Sequence, residues 1–479
     1  MPLHTPVTPM PLTGQSRRQL LRRTACGFGA LAFHGLLAGS AQADLTPSVP
    51  LNRFAHFPAR AKRVIFLFLH GGLSHVDSFD PKPTLTRLHG QPLPLAKPQF
   101  EFAPTGNLLA SPWKFRKYGQ CGTEVSDLFP HLGSLMDEIC VVRSMSGGNE
   151  VSHGPACLRL NTGEGNFSRP SLGAWTLYGL GSENANLPGF VVLTPSLYHG
   201  GAQNFGSAFL PASFQGTRIG DGSSEFPKRA TVDHVHPALS SSRQRRQLDL
   251  LAEENREHLA TIGSDPRLEA RIESFETAFR MQSAAPEVFD LARETKETRA
   301  LYGVDTNPTD EFGRECLIAR RLVEAGVRFV QVNHSYPRNY WDAHGDLKNN
   351  HTQNAAKVDR PIAALLTDLK RRGMLADTLV VLGTEFGRTP AAQGPDGRDH
   401  HPHAFSMLMA GGGVKGGIVH GETDEFGYYV QKDKVTMPDF HATVLHLLGL
   451  DHTRLTYRHA GRDYRLTDVH GQVMKAILA

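Results

Sequence analysis

Carboxylate and imidazole side chains collect on both sides of a short apolar run late in the chain. Leu379 to Gly383 reads LVVLG, a β-branched run that predicts a buried parallel strand. The polar groups before and after it are Asp342, His344, Glu385, Asp399, His400, His401 and His403. Mixed oxygen and nitrogen ligands suit a hard or borderline divalent metal ion. Because open α/β sheets build sites at the carboxyl ends of their strands, the pattern predicts a metal site there. The alternative is that His and Asp simply collect in polar loops.

Two earlier strand ends carry similar groups. The apolar run Arg63 to Leu69 leads into a glycine-rich turn, and that turn contains His70, His75 and Asp77. A strand predicted from Ile139 to Arg143 leads to hydroxyls, glycines and the pair Ser152-His153. Glycines let the backbone come close to a ligand. An ordinary strand-to-helix turn would also contain Gly and Asp.

Together these groups supply ligands for one metal ion or two, and such a site suits hydrolysis of a phosphate or sulfate ester. The preferred ligands are Asp342, His344, Glu385 and His400, followed by Asp77, His70 and His401. The ion would be zinc, manganese or calcium.

The candidate catalytic residues are Ser152, His153 and Arg388. Ser152 is a candidate nucleophile with His153 beside it, and Arg388 is a candidate bidentate partner for an anionic oxygen. A salt bridge at the sheet edge is the alternative for Arg388, and a loop position is the alternative for His153. No GxSxG segment occurs, which makes a general serine esterase the weaker prediction.

The amino terminus predicts export. Ser16-Arg17-Arg18-Gln19-Leu20-Leu21 matches a twin-arginine signal, and Ala41-Gln42-Ala43 matches a small-x-small cleavage site. Residues 1–43 are therefore predicted to be a signal peptide read by the twin-arginine translocase, with a periplasmic or secreted mature chain. The apolar stretch between these motifs is short and interrupted by glycines, so no stable membrane span is expected. A basic tail before a structural helix is the alternative.

Composition describes an ordinary globular protein. The 479 residues have a formal net charge of +4 with the charges mixed along the chain, which gives no basic patch for nucleic acid. The expected partner is an anionic ester, either a small molecule or part of a polymer. Four cysteines follow the signal (Cys121, Cys140, Cys157 and Cys316) and none forms a CxxC pair. A disulfide is permitted, and its pairing is left open.

Strand and helix patterns alternate along residues 44–479 and predict an α/β domain with a mainly parallel, doubly wound sheet between helices. Residues 197–235 are loop-like, with glycines and aromatic residues that could line an opening. Residues 240–303 have charged, helical periodicity and are predicted to be a helical insertion in the sheet domain.

Several long motifs resemble one bacterial family, the domain of unknown function 1501 family. They are HGGLSHVDSFDPKP, WDAH, GTEFGRTP, GRDHHPHAFSMLMAGGGVKGG and GRDYRLTDVHG. That family resembles the alkaline phosphatase and sulfatase superfamily, which implies a mixed, mainly parallel sheet with metal ligands at the strand ends.

The resemblance also assigns roles to positions. It implies an acidic-ligand segment between His70 and Asp77, a nucleophile segment from Glu150 to His153, and the ligand pair Asp342 and His344. It further implies an acidic position at Glu385 and a final histidine at His400 or His401. His70-Gly71 and Glu385-Phe386 depart from the superfamily's Asp-Asp and Asp-His pairs, and no CxPxR sulfatase signature is present. A non-catalytic exported binding protein that keeps the fold and a structural metal is therefore the second hypothesis.

Overall fold

The computed structural model describes residues 54–95, 104–220, 239–263, 266–337 and 340–479. The predicted signal peptide of residues 1–43 lies outside these ranges. Within them, no helix has the length and apolarity needed to cross a membrane.

A nine-stranded sheet forms the centre of the described chain. Its strands are β1 (Arg63–Leu69), β4 (Ile139–Ser146), β5 (Phe190–Leu193), β6 (Thr217–Ile219), β7 (Phe329–His334), β8 (Thr378–Gly383), β11 (Phe405–Ala410), β12 (Ile418–His420) and β15 (Val435–Thr436). The order is β12-β4-β11-β8-β1-β7-β5-β6, with β15 also paired to β4. Strand β11 is antiparallel to both of its neighbours, and the other pairs are parallel.

The remaining strands form four two-stranded sheets. They are β2 (Phe115–Tyr118) with β3 (Thr123–Ser126), β9 (Gly387–Gln393) with β10 (Gly397–His401), β13 (Glu422–Thr423) with β14 (Val430–Lys432), and β16 (Tyr457–His459) with β17 (Arg462–Tyr464).

Helices cover both faces of the large sheet. They are α1 (Pro83–Arg87), α2 (Pro130–Gly133), α3 (His153–Thr162), α4 (Leu172–Leu180), α5 (Ser241–Ile262), α6 (Pro266–Phe289), α7 (Lys296–Leu301), α8 (Asp310–Glu324), α9 (Leu347–Arg371) and α10 (Met437–Leu447). Strand β1 shows how the layers form, because successive side chains of a strand point to opposite faces. Ile65 and Leu67 belong to one buried cluster with α8 and α9, whereas Val64 and Phe66 belong to the other with α4 and α10.

The predicted doubly wound, mainly parallel sheet is confirmed. The predicted strand from Leu379 to Gly383 is confirmed within β8. The pattern from Leu128 to Met136 favours a helix, but only Pro130–Gly133 of this segment is α-helical. The hairpin of β9 and β10 was not predicted, since its Gly, Arg, Pro and His residues are typical of loops.

The segment predicted to be a helical insertion contains α5, α6 and α7. Its connection to the sheet domain includes Arg320 of α8, which is buried and pairs with Glu294 at 2.6 Å and with Asp368 at 3.1 Å. The four cysteines of the described residues are free, with Cys140, Cys157 and Cys316 buried.

Candidate metal centre

The sheet topology brings four chain segments to one edge. Strands β1, β4, β7 and β8 run in the same direction. Strands β7 and β8 are both parallel to β1, and β4 has the direction of β8 because β11, which lies between them, is antiparallel to both. Their carboxyl ends therefore lie together, and they deliver His70, His153, Asp342 and Glu385 to the same region. The β9–β10 hairpin adds His400 from above this edge.

Three atoms converge most closely in this region. Asp342 Oδ1 lies 3.0 Å from His344 Nε2 and 3.1 Å from His400 Nε2, and the two nitrogens are 2.9 Å apart. We call these three residues the Asp342 group. The His344 side chain is 36% exposed, whereas those of Asp342 and His400 are 17% and 7% exposed. The group is thus held in the protein and reachable from one side.

The far nitrogens of both imidazoles are held by oxygen atoms. His400 Nδ1 donates to the carbonyl oxygen of Val151 at 2.6 Å, and His344 Nδ1 donates to Gln393 Oε1. Because each Nδ1 therefore carries a hydrogen, each neutral ring presents the lone pair of Nε2 to Asp342. His344 Nε2 and His400 Nε2 then face each other with no hydrogen between them, a contact that a shared proton or a metal ion would relieve.

The donor set fits a divalent metal ion. Ligand atoms about 2.0–2.1 Å from an ion lie about 2.9 Å apart along an octahedral edge and about 3.4 Å apart along a tetrahedral edge. The three separations in the Asp342 group, 2.9 to 3.1 Å, fall in this range. Imidazoles fixed by a second hydrogen bond at Nδ1 are typical of metal ligands. Asp399 Oδ1 lies 3.8 Å from His344 Nδ1 and belongs to an overlapping group with His344 and His400.

The charges of the Asp342 group are consistent with this geometry. Burial opposes the charge of Asp342, but the adjacent imidazoles of His153, His344 and His400 and the nearby guanidinium of Arg388 hold its pKa well below the usual range. The hydrogen bond to Asp342 raises the pKa of His344. Burial lowers the pKa of His400 to about 4.

Glu385 lies deeper and fixes His153. Its Oε1 accepts hydrogen bonds from Gly71 N at 2.9 Å and from His153 Nδ1 at 2.7 Å, and Thr384 Oγ1 donates to its Oε2. Burial opposes the charge of Glu385, but His153 and His70 lower its pKa to about 2. Gly71 has φ +118°, and a Cβ there would lie 2.6 Å from Asp342 N. The turn after β1 therefore needs glycine at position 71 to come close to both Glu385 and the backbone of Asp342.

His153 lies between the two carboxylates. Its Nε2 is 3.4 Å from Asp342 Oδ2, too long for a good hydrogen bond, and has no other partner among the described residues. Burial lowers the pKa of His153, but the nearby carboxylate of Asp342 and the hydrogen bond with Glu385 outweigh it and raise the pKa overall. His153 thus connects Glu385 to the Asp342 group.

Arg388 is buried and its guanidinium is used inside the protein. Its Nε donates to Gly72 O at 3.0 Å and its Nη1 to Arg398 O at 3.1 Å, while Nη2 donates to Gly71 O and to Asp342 Oδ1. These contacts tie the turn after β1 to Asp342. They give Arg388 a positioning role, in contrast to the expected contact with an anionic oxygen of a substrate.

Asp77 and His401 have partners away from the Asp342 group. Both oxygens of Asp77 accept hydrogen bonds from Arg398, at 2.7 and 3.1 Å, and both side chains are fully buried. His401 Nε2 donates to Tyr428 O at 2.6 Å. Since His400 and His401 are consecutive in β10, their side chains point to opposite faces, and only His400 reaches Asp342.

Ser152 is exposed and directly precedes α3, where its side chain makes no capping hydrogen bond.

Four residues near the site were not predicted from the sequence as site residues: Cys157, His199, Tyr340 and Gln393. Because α3 begins at His153, His153 and Cys157 have an i, i+4 relation that the sequence alone does not indicate. His199 lies in the segment predicted only as a glycine-rich loop, and its ring is stacked on Tyr340.

The family model described as "Protein of unknown function (DUF1501)" matches residues 61–478. The chain belongs to this family. The match includes every candidate ligand of the edge described above. No curated protein sequence matches the chain.

Three solved structures illustrate the likeness in fold. The lipoteichoic acid synthase LtaP from Listeria monocytogenes is 9% identical, with 86% of this chain and 76% of that chain covered and a TM-score of 0.39. The PsFucS1 sulfatase from Pseudoalteromonas sp. is 13% identical, with 82% and 68% covered and a TM-score of 0.34. Alkaline phosphatase from the Antarctic bacterium TAB5 is 10% identical, with 81% and 98% covered and a TM-score of 0.31. At these scores nothing about substrate or mechanism follows from the likeness.

Proposed function

We propose that the protein is an exported, metal-dependent hydrolase of phosphate or sulfate esters. The observation that supports it is the convergence of Asp342 Oδ1, His344 Nε2 and His400 Nε2 within 3.1 Å of one another. Three protein ligands with one exposed side are typical of catalytic metal sites, whereas structural sites are closed by a fourth protein ligand. The twin-arginine motif at Arg17 and Arg18 supports export.

The residues around the Asp342 group have separate roles in this proposal. A divalent ion supplies Lewis acidity, which stabilises negative charge on an ester oxygen. Asp342, His344 and His400 hold that ion, and Arg388 orients Asp342 through its hydrogen bond. His153, which is held at Nδ1 by Glu385, places Nε2 beside the group and holds a proton for the leaving oxygen. Ser152, exposed at the start of α3, is the candidate nucleophile.

The test is hydrolysis of aryl phosphates and aryl sulfates by the mature chain after loading with zinc, manganese or calcium. We expect turnover that needs the ion and is lost in His400→Ala while the protein stays folded. His401→Gln is the matched control, because the neighbouring histidine has a backbone carbonyl as its partner. Turnover that survives chelation, or that His401→Gln and His400→Ala reduce equally, would contradict the proposal.

A non-catalytic binding protein with a structural metal is the second candidate. It is favoured by Glu385 and Arg388, which are fully buried and have hydrogen-bond partners inside the protein. The two candidates differ in the effect of His344→Ala, a change that leaves the buried guanidinium of Arg388 paired with Asp342. For an enzyme this change removes turnover with little loss of melting temperature in the metal-free protein, whereas a structural site predicts that metal raises the melting temperature without any turnover.

A further inference from the structure

A thiol lies at the same edge as the Asp342 group but outside it. Cys157 follows His153 by four residues in α3, so the two side chains share one face of the helix. Its Sγ, a nitrogen of His70 and a carboxylate oxygen of Glu385 all lie within 4.8 Å of one another, and all three residues are buried. His199 Nδ1 lies 3.1 Å from His70 Nε2 and adds a fourth donor.

We propose that His70, Cys157, Glu385 and His199 hold a second metal ion, and that the thiolate of Cys157 makes this position selective for zinc and similar ions. The inference rests on the proposed metal centre and specifies a second position within it. Thiolate and imidazole ligands favour zinc, whereas calcium and manganese prefer oxygen ligands. Selectivity for zinc over calcium or manganese therefore follows from the donor set.

Two separations that involve His70 are close to those expected around one ion. His70 Nε2 and Glu385 Oε1 are 3.9 Å apart, compared with about 3.4 Å between two ligands of a tetrahedral ion. His70 Nε2 and His199 Nδ1 are already at 3.1 Å and share a single proton when both rings are neutral. A metal ion would take the place of that proton, which would move to Nδ1 of His70 so that the ring stays neutral. It would also displace the thiol proton of Cys157 to solvent.

Two contacts bear on the orientation of the donors. Tyr336 N lies 3.4 Å from His70 Nδ1, which is a long hydrogen bond and is given up if His70 binds the ion through Nε2. Tyr340 packs against His70, His153 and His199, with ring centroids 5.0 to 5.9 Å away. This packing restricts the rotation of the three imidazoles.

The first experiment is titration of the metal-free mature chain with cobalt(II). Cobalt bound to thiolate has an intense near-ultraviolet charge-transfer band that nitrogen and oxygen ligands do not produce. We expect two equivalents of cobalt and this band in the wild type, and one equivalent without the band in Cys157→Ser. Cys316→Ser is the matched control, because Cys316 is equally buried in α8, and we expect it to keep both equivalents and the band.

Each outcome distinguishes the two proposals. One equivalent without the band in the wild type would overturn the thiolate position and leave the Asp342 group intact. No bound cobalt would overturn both proposals. Should Cys157→Ser fail to fold, the zinc X-ray absorption spectrum of the wild type decides instead: a sulfur neighbour at about 2.3 Å supports the proposal, and its absence overturns it.

Discussion

Gln393 gives a way to test the metal centre without changing a ligand. Its Oε1 accepts the hydrogen bond from His344 Nδ1, which turns the Nε2 lone pair toward Asp342. Gln393 is part of β9 near the surface and is half-buried, so its replacement should leave the fold intact. Gln393→Ala removes the acceptor, and Gln393→Glu keeps an acceptor at the same place.

The structure also sets the size of the effect. Loss of such a supporting acceptor weakens metal binding about 10–100-fold. Here Asp399 Oδ1 lies 3.8 Å from the same nitrogen and can take over part of the role. The expected weakening is therefore near the lower end, about 10-fold, which corresponds to about 1.4 kcal/mol of binding free energy. Gln393→Glu should bind at least as tightly as the wild type, because a carboxylate makes the imidazole a stronger ligand.

Calorimetric titration of the metal-free protein with zinc, in competition with a chelator, measures these affinities. Gln353→Ala is the control, since Gln353 is an exposed residue of α9 that bonds only to Asn349 in the contacts described for it. Wild-type affinity in Gln393→Ala, or equally weak binding in Gln393→Ala and Gln393→Glu, would refute the role assigned to His344.

Three further predictions concern the framework of the site. Asp77→Ala leaves the buried guanidinium of Arg398 without its carboxylate, so the free energy of unfolding in urea should fall by about 3–5 kcal/mol; a loss below about 1 kcal/mol would contradict this. Burial opposes the charge of Asp77, but Arg398 lowers the pKa of Asp77 overall. The ionised carboxylate therefore stabilises the fold above its unfolded pKa of about 3.9, and this stabilisation is lost as the pH falls through the folded pKa. Unfolding of the wild type should therefore depend more steeply on pH below about 4 than unfolding of Asp77→Ala. Gly71→Ala places a Cβ 2.6 Å from Asp342 N and should abolish metal binding, whereas Gly90→Ala, also at positive φ but with nothing within 4 Å, should keep it; equal metal binding by both variants would count against the close approach.

The sheet could be predicted from the sequence because its strands are continuous apolar runs. Arg63–Leu69 was predicted with its observed bounds, and the strand ends there and at Gly383 correctly indicated where polar groups gather. The β9–β10 hairpin could not be predicted in this way. Its strands are buried but polar, since Arg388 and Arg398 have their partners inside the protein, and such strands lack an apolar pattern.

The residues of the site could likewise be predicted only in part from the sequence. Asp342 and His344 lie in one short motif after β7 and could be expected to act together. His400 and His401 could not be distinguished, because the alternation that separates them requires the strand β10 to be known. His199 and Gln393 come from a loop and a hairpin far away in sequence, so only the fold brings them to His70 and His344.

The most direct test of the metal centre is an anomalous difference map from crystals of the metal-loaded protein, collected at the absorption edge of the ion. We predict a peak about 2.0–2.2 Å from Asp342 Oδ1, His344 Nε2 and His400 Nε2. A map in which these three side chains are ordered and no anomalous peak lies among them would contradict the account.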